Sequence, residues 1–171
     1  MILPIVTRPD PVLRQQARLI EPQEIQGLQQ LIDDMFQTLS ANGGVGLAAP
    51  QVGHSINLFV VKVDDSEAVF INPVVLHAGD ETDTHEEGCL SLPGLKFRVT
   101  RSKNIKVMFR DRSGAQQITD LGEGWSRIFL HEFDHLQGIM IDDRVSRVQR
   151  DMAKRKLQKM VKRRQRQGVT A

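Results

Sequence analysis

A chain of 171 residues, 40% hydrophobic and 26% charged, is long enough for one domain with a real core and too short for two comfortable ones. One cysteine excludes a disulfide framework, no apolar run approaches a membrane span, and the start Met1-Ile2-Leu3-Pro4 lacks the basic and apolar regions of a signal peptide, so a cytoplasmic location is expected. The net charge of +2 hides an asymmetry: Arg144 to Arg166 holds eleven basic residues against the single acid Asp151, a net +10, which leaves −8 on a remainder with 12 basic and 20 acidic residues.

Asp10-Pro11-Val12-Leu13-Arg14 reads as a turn. A first helix is expected from Glu24 to Leu39, where Ile25, Leu28, Leu31, Ile32, Met35, Phe36 and Leu39 recur at three- and four-residue steps and define one buried face. Asn42-Gly43-Gly44 supplies its stop, because glycine enters the left-handed region without a Cβ clash. The small-residue segment Gly44 to Gly53 follows. Alone it reads as a glycine loop between helix and strand, although the Gln51 carboxamide could donate to a developing oxyanion. It lacks the strand, turn and helix order of a dinucleotide fingerprint.

The middle of the chain is β-rich. Ile56 to Val63 is a nearly continuous apolar run, Val69 to Leu76 is another interrupted by Pro73, and Leu95, Phe97 and Val99 alternate with polar neighbours. Ile105, Val107 and Phe109 alternate before Asp111-Arg112-Ser113-Gly114, a hairpin turn into Ala115 to Thr119. A helix then runs from about Gly124 to Gln137 with Gly138 as its stop. Strands first and a helix afterwards argue an α+β domain in which antiparallel β-sheets enclose that central helix. Beyond it, a basic C-terminal helix is expected to about Arg164, with Val145, Val148, Met152, Leu157, Met160 and Val161 at roughly helical spacing and a frayed end from Gln165 to Ala171. The chain thus divides into a catalytic domain, 1–147, and a basic C-terminal helix and tail, 148–171.

Chemistry concentrates in His131-Glu132-Phe133-Asp134-His135. Two imidazoles four residues apart stand one turn apart on one helix face, about 6 Å along the axis, and can share one ion. Glu132, too near His131 to be a third ligand, is free to move protons on a metal-bound water. The third ligand is sought in Cys89, the lone cysteine, within the turn-like Glu87-Gly88-Cys89-Leu90-Ser91. A thiolate with two imidazoles leaves a tetrahedral ion one open position. Softness and geometry allow Zn²⁺, Fe²⁺, Co²⁺ or Ni²⁺. Asp134 is expected to support the helix rather than bind the ion, and His54, His77 and His85 to be ordinary turn or surface residues.

Gly44-Val45-Gly46-Leu47-Ala48-Ala49-Pro50-Gln51, Glu87-Gly88-Cys89-Leu90-Ser91 and the His131 to His135 segment together resemble, in order, the three motifs of the peptide deformylase family, and Pro9-Asp10-Pro11-Val12-Leu13-Arg14 is similar to its N-terminus. The resemblance covers roughly residues 2 to 145. It implies hydrolysis of the N-formyl group from formylmethionyl nascent peptides, with release of formate. It also implies one divalent ion per chain, Fe²⁺ above the other three, held by Cys89, His131 and His135. Glu132 becomes the general acid and base, Gln51 and the Leu90 backbone N–H the oxyanion donors, Gly46 a position whose backbone lines the substrate, and Val45 one that faces the methionine side chain. The chain departs from the pattern at Leu130, where relatives usually carry Gln, and at Trp125 to Phe129, where small and apolar residues are commoner. Those departures bear on the support of the metal site and on the shape of the methionine pocket.

Two other readings stay open on the sequence. One is a related metal-dependent amidase or peptidase acting on another acylated peptide. The other is a ribosome- or RNA-binding protein with a relic metal site, since a segregated +10 helix has the footprint of an rRNA contact. A monomer with no membrane contact is expected throughout.

Overall fold

The computed structural model describes residues 1–122 and 124–166. Its elements are α1 (Gln29–Ala41), β1 (Gly46–Ala48), β2 (Leu58–Val63), β3 (Ser66–Ala78), β4 (Thr82–Gly88), β5 (Lys96–Ser102), β6 (Ile105–Arg110), β7 (Gln116–Leu121), α2 (Trp125–Leu136) and α3 (Arg147–Arg166). Strands β1-β2-β3-β6-β7 form one sheet in that order and β4-β5 a second, all paired antiparallel. The α+β architecture with an enclosed helix is the one the sequence implied.

The apolar run Leu58 to Val61 of β2 has a direct cause. Its Leu58 and Val60 join the α1 residues Ile32, Met35, Phe36 and Leu39 in one cluster, while the intervening Phe59 and Val61 join Phe129 and Leu136 of α2 in another. A strand buried on both faces has no position for a polar residue. Phe59, Phe70 and Phe129 meet at ring centroid separations of 4.8, 5.1 and 5.2 Å, a mixture of stacked and edge contacts that fixes α2 against the sheet. On its other side α2 meets β5, so the helix lies between the two sheets.

Several local expectations are corrected. The first helix begins as a 3-10 segment, Pro22–Leu28, and becomes α-helical only at Gln29, because Glu21 and Glu24 cap a proline-led turn first. Strand β3 passes through Pro73 with register shifts between Ile71 and Val74 and between Val75 and His77. Asn72, at φ 49°, is pinned there by Nδ2 donating to Ile20 O (2.7 Å) and Oδ1 accepting from Ile20 N (2.9 Å). Strand β4 was missed altogether: Thr-Asp-Thr-His-Glu-Glu-Gly has no apolar alternation, and in the structure only Glu87 of it is buried. In α3, Val148 and Met152 are exposed, while Ala153, and Val145 just before the helix, pack against the cluster under β5. The stripe beyond Met152 and the end at 167–171 lie outside the described side chains and residues.

The stop of α2 came out as expected. Gly138 sits at φ +70°, and a Cβ there would come within 2.6 Å of Arg14 O, so the helix end also needs glycine for a close approach to the N-terminal segment. Phe129→Ala, which empties the centre of the aromatic cluster, should cost about 3–5 kcal/mol in urea unfolding with an unchanged m-value. A cost under about 1 kcal/mol would contradict its central position.

Candidate metal centre

Cys89, just past the end of β4, and His131 and His135 on α2 present ligand atoms that all lie within 4.8 Å of one another. Cys89 Sγ is 3.2 Å from His135 Nε2. The ligand-to-ligand edges of a tetrahedral ion with one thiolate and imidazoles are about 3.5 Å, so the cluster is close to the size that an ion requires. Both histidines are buried, and their ring centroids are 5.2 Å apart.

The second nitrogen of His131 is already committed. His131 Nδ1 is 3.0 Å from Glu87 Oε2, which leaves Nε2 for the cluster. Glu87 in turn accepts from Arg101 Nε (2.7 Å), Arg101 Nη2 (2.9 Å) and Arg127 Nη1 (2.6 Å). Arg101 Nη1 continues to Asp134 (2.9 Å), which also receives Arg144 Nε at 3.0 Å. Asp134 is therefore buried and paired outside the cluster, as expected of a supporting group.

The electrostatics follow from these pairs. Burial pushes the Glu87 carboxyl up, but the His131 and Arg101 hydrogen bonds outweigh it and hold it at about 2. Burial pushes His131 down, yet the hydrogen bonds to Cys89 and Glu87 and the Glu132 charge raise it to about 10, a measure of the negative field that a cation would meet. Burial, then the His131 and Arg101 charges, hold His135 well below its ordinary value, in the neutral form that ligates metals. Burial raises Glu132 to about 7 against the opposing pull of His131 and Arg101.

Glu132 Oε2 is buried without a hydrogen-bond partner among the described residues. Such an oxygen costs about 1–3 kcal/mol unless something donates to it, so the site is built to receive a donor there. Gly46 makes room for the carboxylate: a Cβ on Gly46 would lie 2.8 Å from both Glu132 Cγ and Cδ and closer still to Oε1. Gln51 is equally fixed. Its Oε1 accepts from Ala48 N (2.8 Å), which orients Nε2 toward Ser91 Oγ (3.3 Å) and Cys89 Sγ (3.5 Å).

These groups line one cavity of about 1000 Å³, with Val45, Gly46, Gln51, Cys89, Leu90, His131 and Glu132 all on its wall. Every residue singled out in the sequence is thus brought to one place, His135 through the cluster with Cys89 and His131. The sequence reading gave no role to Glu87 or Arg101, and marked Arg127 only as part of the unusual Trp125 to Phe129 stretch. Only Glu87 carried a signal, as the acid two residues before the cysteine; the two arginines reach it from other elements. His85, 66% exposed and 3.3 Å from Asp83, takes no part in the cluster.

The chain matches the family model described as polypeptide deformylase over residues 2–151. It is 39% identical over 163 residues to a peptide deformylase of Agrobacterium fabrum, covering 92% of this chain and 95% of that protein. Among solved structures it is similar to a peptide deformylase from Legionella pneumophila (TM-score 0.87, 35% identity, 97% of this chain and 99% of the other). A second, from Thermotoga maritima, matches with TM-score 0.82 and 40% identity over 85% of this chain and 99% of that one.

Gly46→Ala tests whether that glycine serves the carboxylate rather than the fold. The added methyl should displace Glu132 and lower kcat about 10²-fold or more while the melting temperature moves by only a few degrees. A variant of near-normal kcat would show that Glu132 does not need its observed position.

Proposed function

The chain belongs to the peptide deformylase family, and from that membership and the geometry of its cavity we infer the reaction and the part each residue takes in it. The reaction is hydrolysis of the formyl group from the N-terminus of newly made polypeptides, by a metal-dependent amide hydrolase. The observation that carries the assignment of residues is the convergence of Cys89, His131 and His135 beside Glu132 and Gln51 on one cavity wall.

Cys89 as thiolate and the two imidazoles would hold one divalent ion, a donor set that fits the cluster's size, its negative field and the neutral state of His135. When bound, such an ion supplies a Lewis acid that makes water more acidic and polarises a carbonyl. Following the resemblance, the ion proposed is Fe²⁺, with Zn²⁺, Ni²⁺ and Co²⁺ as substitutes. Glu132, on the cavity wall and with one buried oxygen that has no partner among the described residues, accepts the proton of the attacking water. As the C–O bond forms, Gln51 Nε2 and the Leu90 backbone N–H donate to the developing oxyanion. Glu132 then returns the proton to the departing amine as the C–N bond breaks, giving formate and a free N-terminus. Val45 and Gly46 border the substrate's first residue.

Residues 1–147 form the catalytic unit in this proposal, and α3 with the tail, 148–171, is an appended basic helix that meets rRNA phosphate. Nine basic residues against one acid within 148–171 support that partner, and the enzyme acts as a monomer in the cytoplasm, where nascent chains emerge. Among the described residues no helix is long and apolar enough to cross a membrane.

Anaerobically purified, metal-loaded protein should release formate from formyl-Met-Ala, and Glu132→Gln should lower kcat by about 10²–10⁴ while retaining one ion per chain. Equal rates on acetyl-Met-Ala would sink the formyl-specific reading. Replacing Lys154, Arg155 and Lys159, which the structure exposes, with Glu should weaken co-sedimentation with ribosomes about tenfold or more, and wild-type binding should fall steeply between roughly 50 and 200 mM salt. Salt-independent binding would contradict the phosphate contact.

A further inference from the structure

The N-terminal segment is bonded to both of the loops that carry the oxyanion donors. Val6 N donates to Gln51 O (2.8 Å), and Arg8 N donates to Ser91 O (3.1 Å). Two residues of chain reach at most about 7 Å, so with both bonds made this strap limits how far the two loops can separate. Gln51 and Ser91 are also joined directly, by Gln51 Nε2 donating to Ser91 Oγ (3.3 Å), and Leu90 lies between Ser91 and Cys89. The spacing of the two donors therefore depends on where the strap sits.

A chain end stays poorly ordered unless something ties it down. Here Val6 packs into the same apolar cluster as Cys89, and Arg8 Nη1 pairs with Asp142 in the 3-10 turn Ile141–Arg144 beyond α2. Asp142 is buried, and its Oδ1 has no partner among the described residues, so the carboxylate leans on Arg8. One side chain thus links the Gln51 loop, the Ser91 loop and the chain leaving α2. Arg14 offers a contrast: it pairs with Asp143 of the same turn and bonds to Gly138 O, both beyond α2.

We propose that Arg8 is a positioning residue for the reaction: anchored on Asp142, it fixes the strap across the Gln51 and Ser91 carbonyls and so sets the gap between Gln51 Nε2 and the Leu90 N–H. A gap that fits the oxyanion acts in the transition state, where a misplacement of about 1 Å costs on the order of 10²-fold in rate. The effect falls on kcat rather than on binding. The proposal rests on the deformylase reading and names a residue outside the cavity wall on which its oxyanion pocket depends.

The test uses full-length, metal-loaded protein and formyl-Met-Ala. Arg8→Met combined with Asp142→Asn removes the pair without leaving a buried charge, and should lower kcat about tenfold while KM stays within about threefold and one ion per chain is retained. Arg14→Met combined with Asp143→Asn cuts the neighbouring pair between the same two segments and should leave kcat within about twofold. Arg8→Lys, which keeps a cation for Asp142, should recover kcat to within about threefold of wild type. In a Gln51→Ala background the Arg8 and Asp142 changes should cost no more than about threefold, because the donor they position is gone. Should the Arg8 and Asp142 double variant fail to fold, the same comparisons run on Arg8→Gln, which still offers Asp142 a hydrogen-bond donor. An unchanged kcat, an equal loss from the Arg14 and Asp143 variant, or a full tenfold loss without Gln51 would overturn the positioning role, while a wild type that releases no formate would overturn the reading beneath it.

Discussion

A single buried carboxylate organises this molecule. Glu87, the penultimate residue of β4, touches a ring nitrogen of His131 on α2, and is held by Arg101 from β5 and Arg127 from α2. Two residues later in the chain comes Cys89. One strand end therefore supplies both a sulfur for the cluster and the group that sets the azimuth and tautomer of the imidazole opposite it. The helix cannot rotate or slide without breaking the Glu87 contact, and the strand cannot shift without carrying the sulfur away. Taking Glu87 and Arg101 out of water costs several kcal/mol per ion, and their pairing repays this only because nearly every lone pair and proton finds a partner. The gain is position more than stability.

The remainder of the fold serves that geometry. Cores on both faces of β2 press α1 and α2 from opposite sides, and the phenylalanine cluster under α2 gives the helix a stiff bed. Gly138 lets the end of α2 close onto Arg14, where Leu136 O also accepts from Ala17 N at 2.9 Å. At the near end, Gly46 allows β1 to lie directly against the Glu132 carboxylate. Each of these contacts restrains α2, the element that carries two of the three cluster residues together with Glu132.

Much of this was legible in the chain. Period and composition placed α1 and α2, each apolar on a regular face and closed by glycine, β2 as a nearly continuous apolar run, and the β6 and β7 hairpin by the alternation of β6 and the turn at Gly114. Cys89, His131, His135, Glu132 and Gln51 were legible because metal and acyl chemistry admit few residue types, and the motifs hold them at fixed spacing. Strand β4 was illegible for the converse reason: it lies at the edge of a two-stranded sheet, carries polar side chains, and is defined by pairing with β5 rather than by burial. The arginine pair was hidden too. Arg101 reads as one more polar residue alternating with Val99 on a strand, and nothing local says that its head is buried between carboxylates 14 and 33 residues away in sequence.

The helix stretch just before His131 shows why such non-local pairing decides function. Read along the chain, an arginine and a tryptophan where small apolar residues are commoner suggest a pocket of the wrong character. In space Trp125 packs into the cluster with Phe129, Ser126 donates to Lys103 O at 2.7 Å, and Arg127 is neutralised by acids of β4, itself a strand invisible to periodicity. The unusual acids of β4 and the unusual cation of α2 are one feature divided between two segments. A charge introduced on the helix without its strand partners would leave an unpaired ion beside the cluster, at a cost of about 3–5 kcal/mol. The residue types of β4 and of this helix turn are consequently coupled, and neither segment can be judged apart from the other.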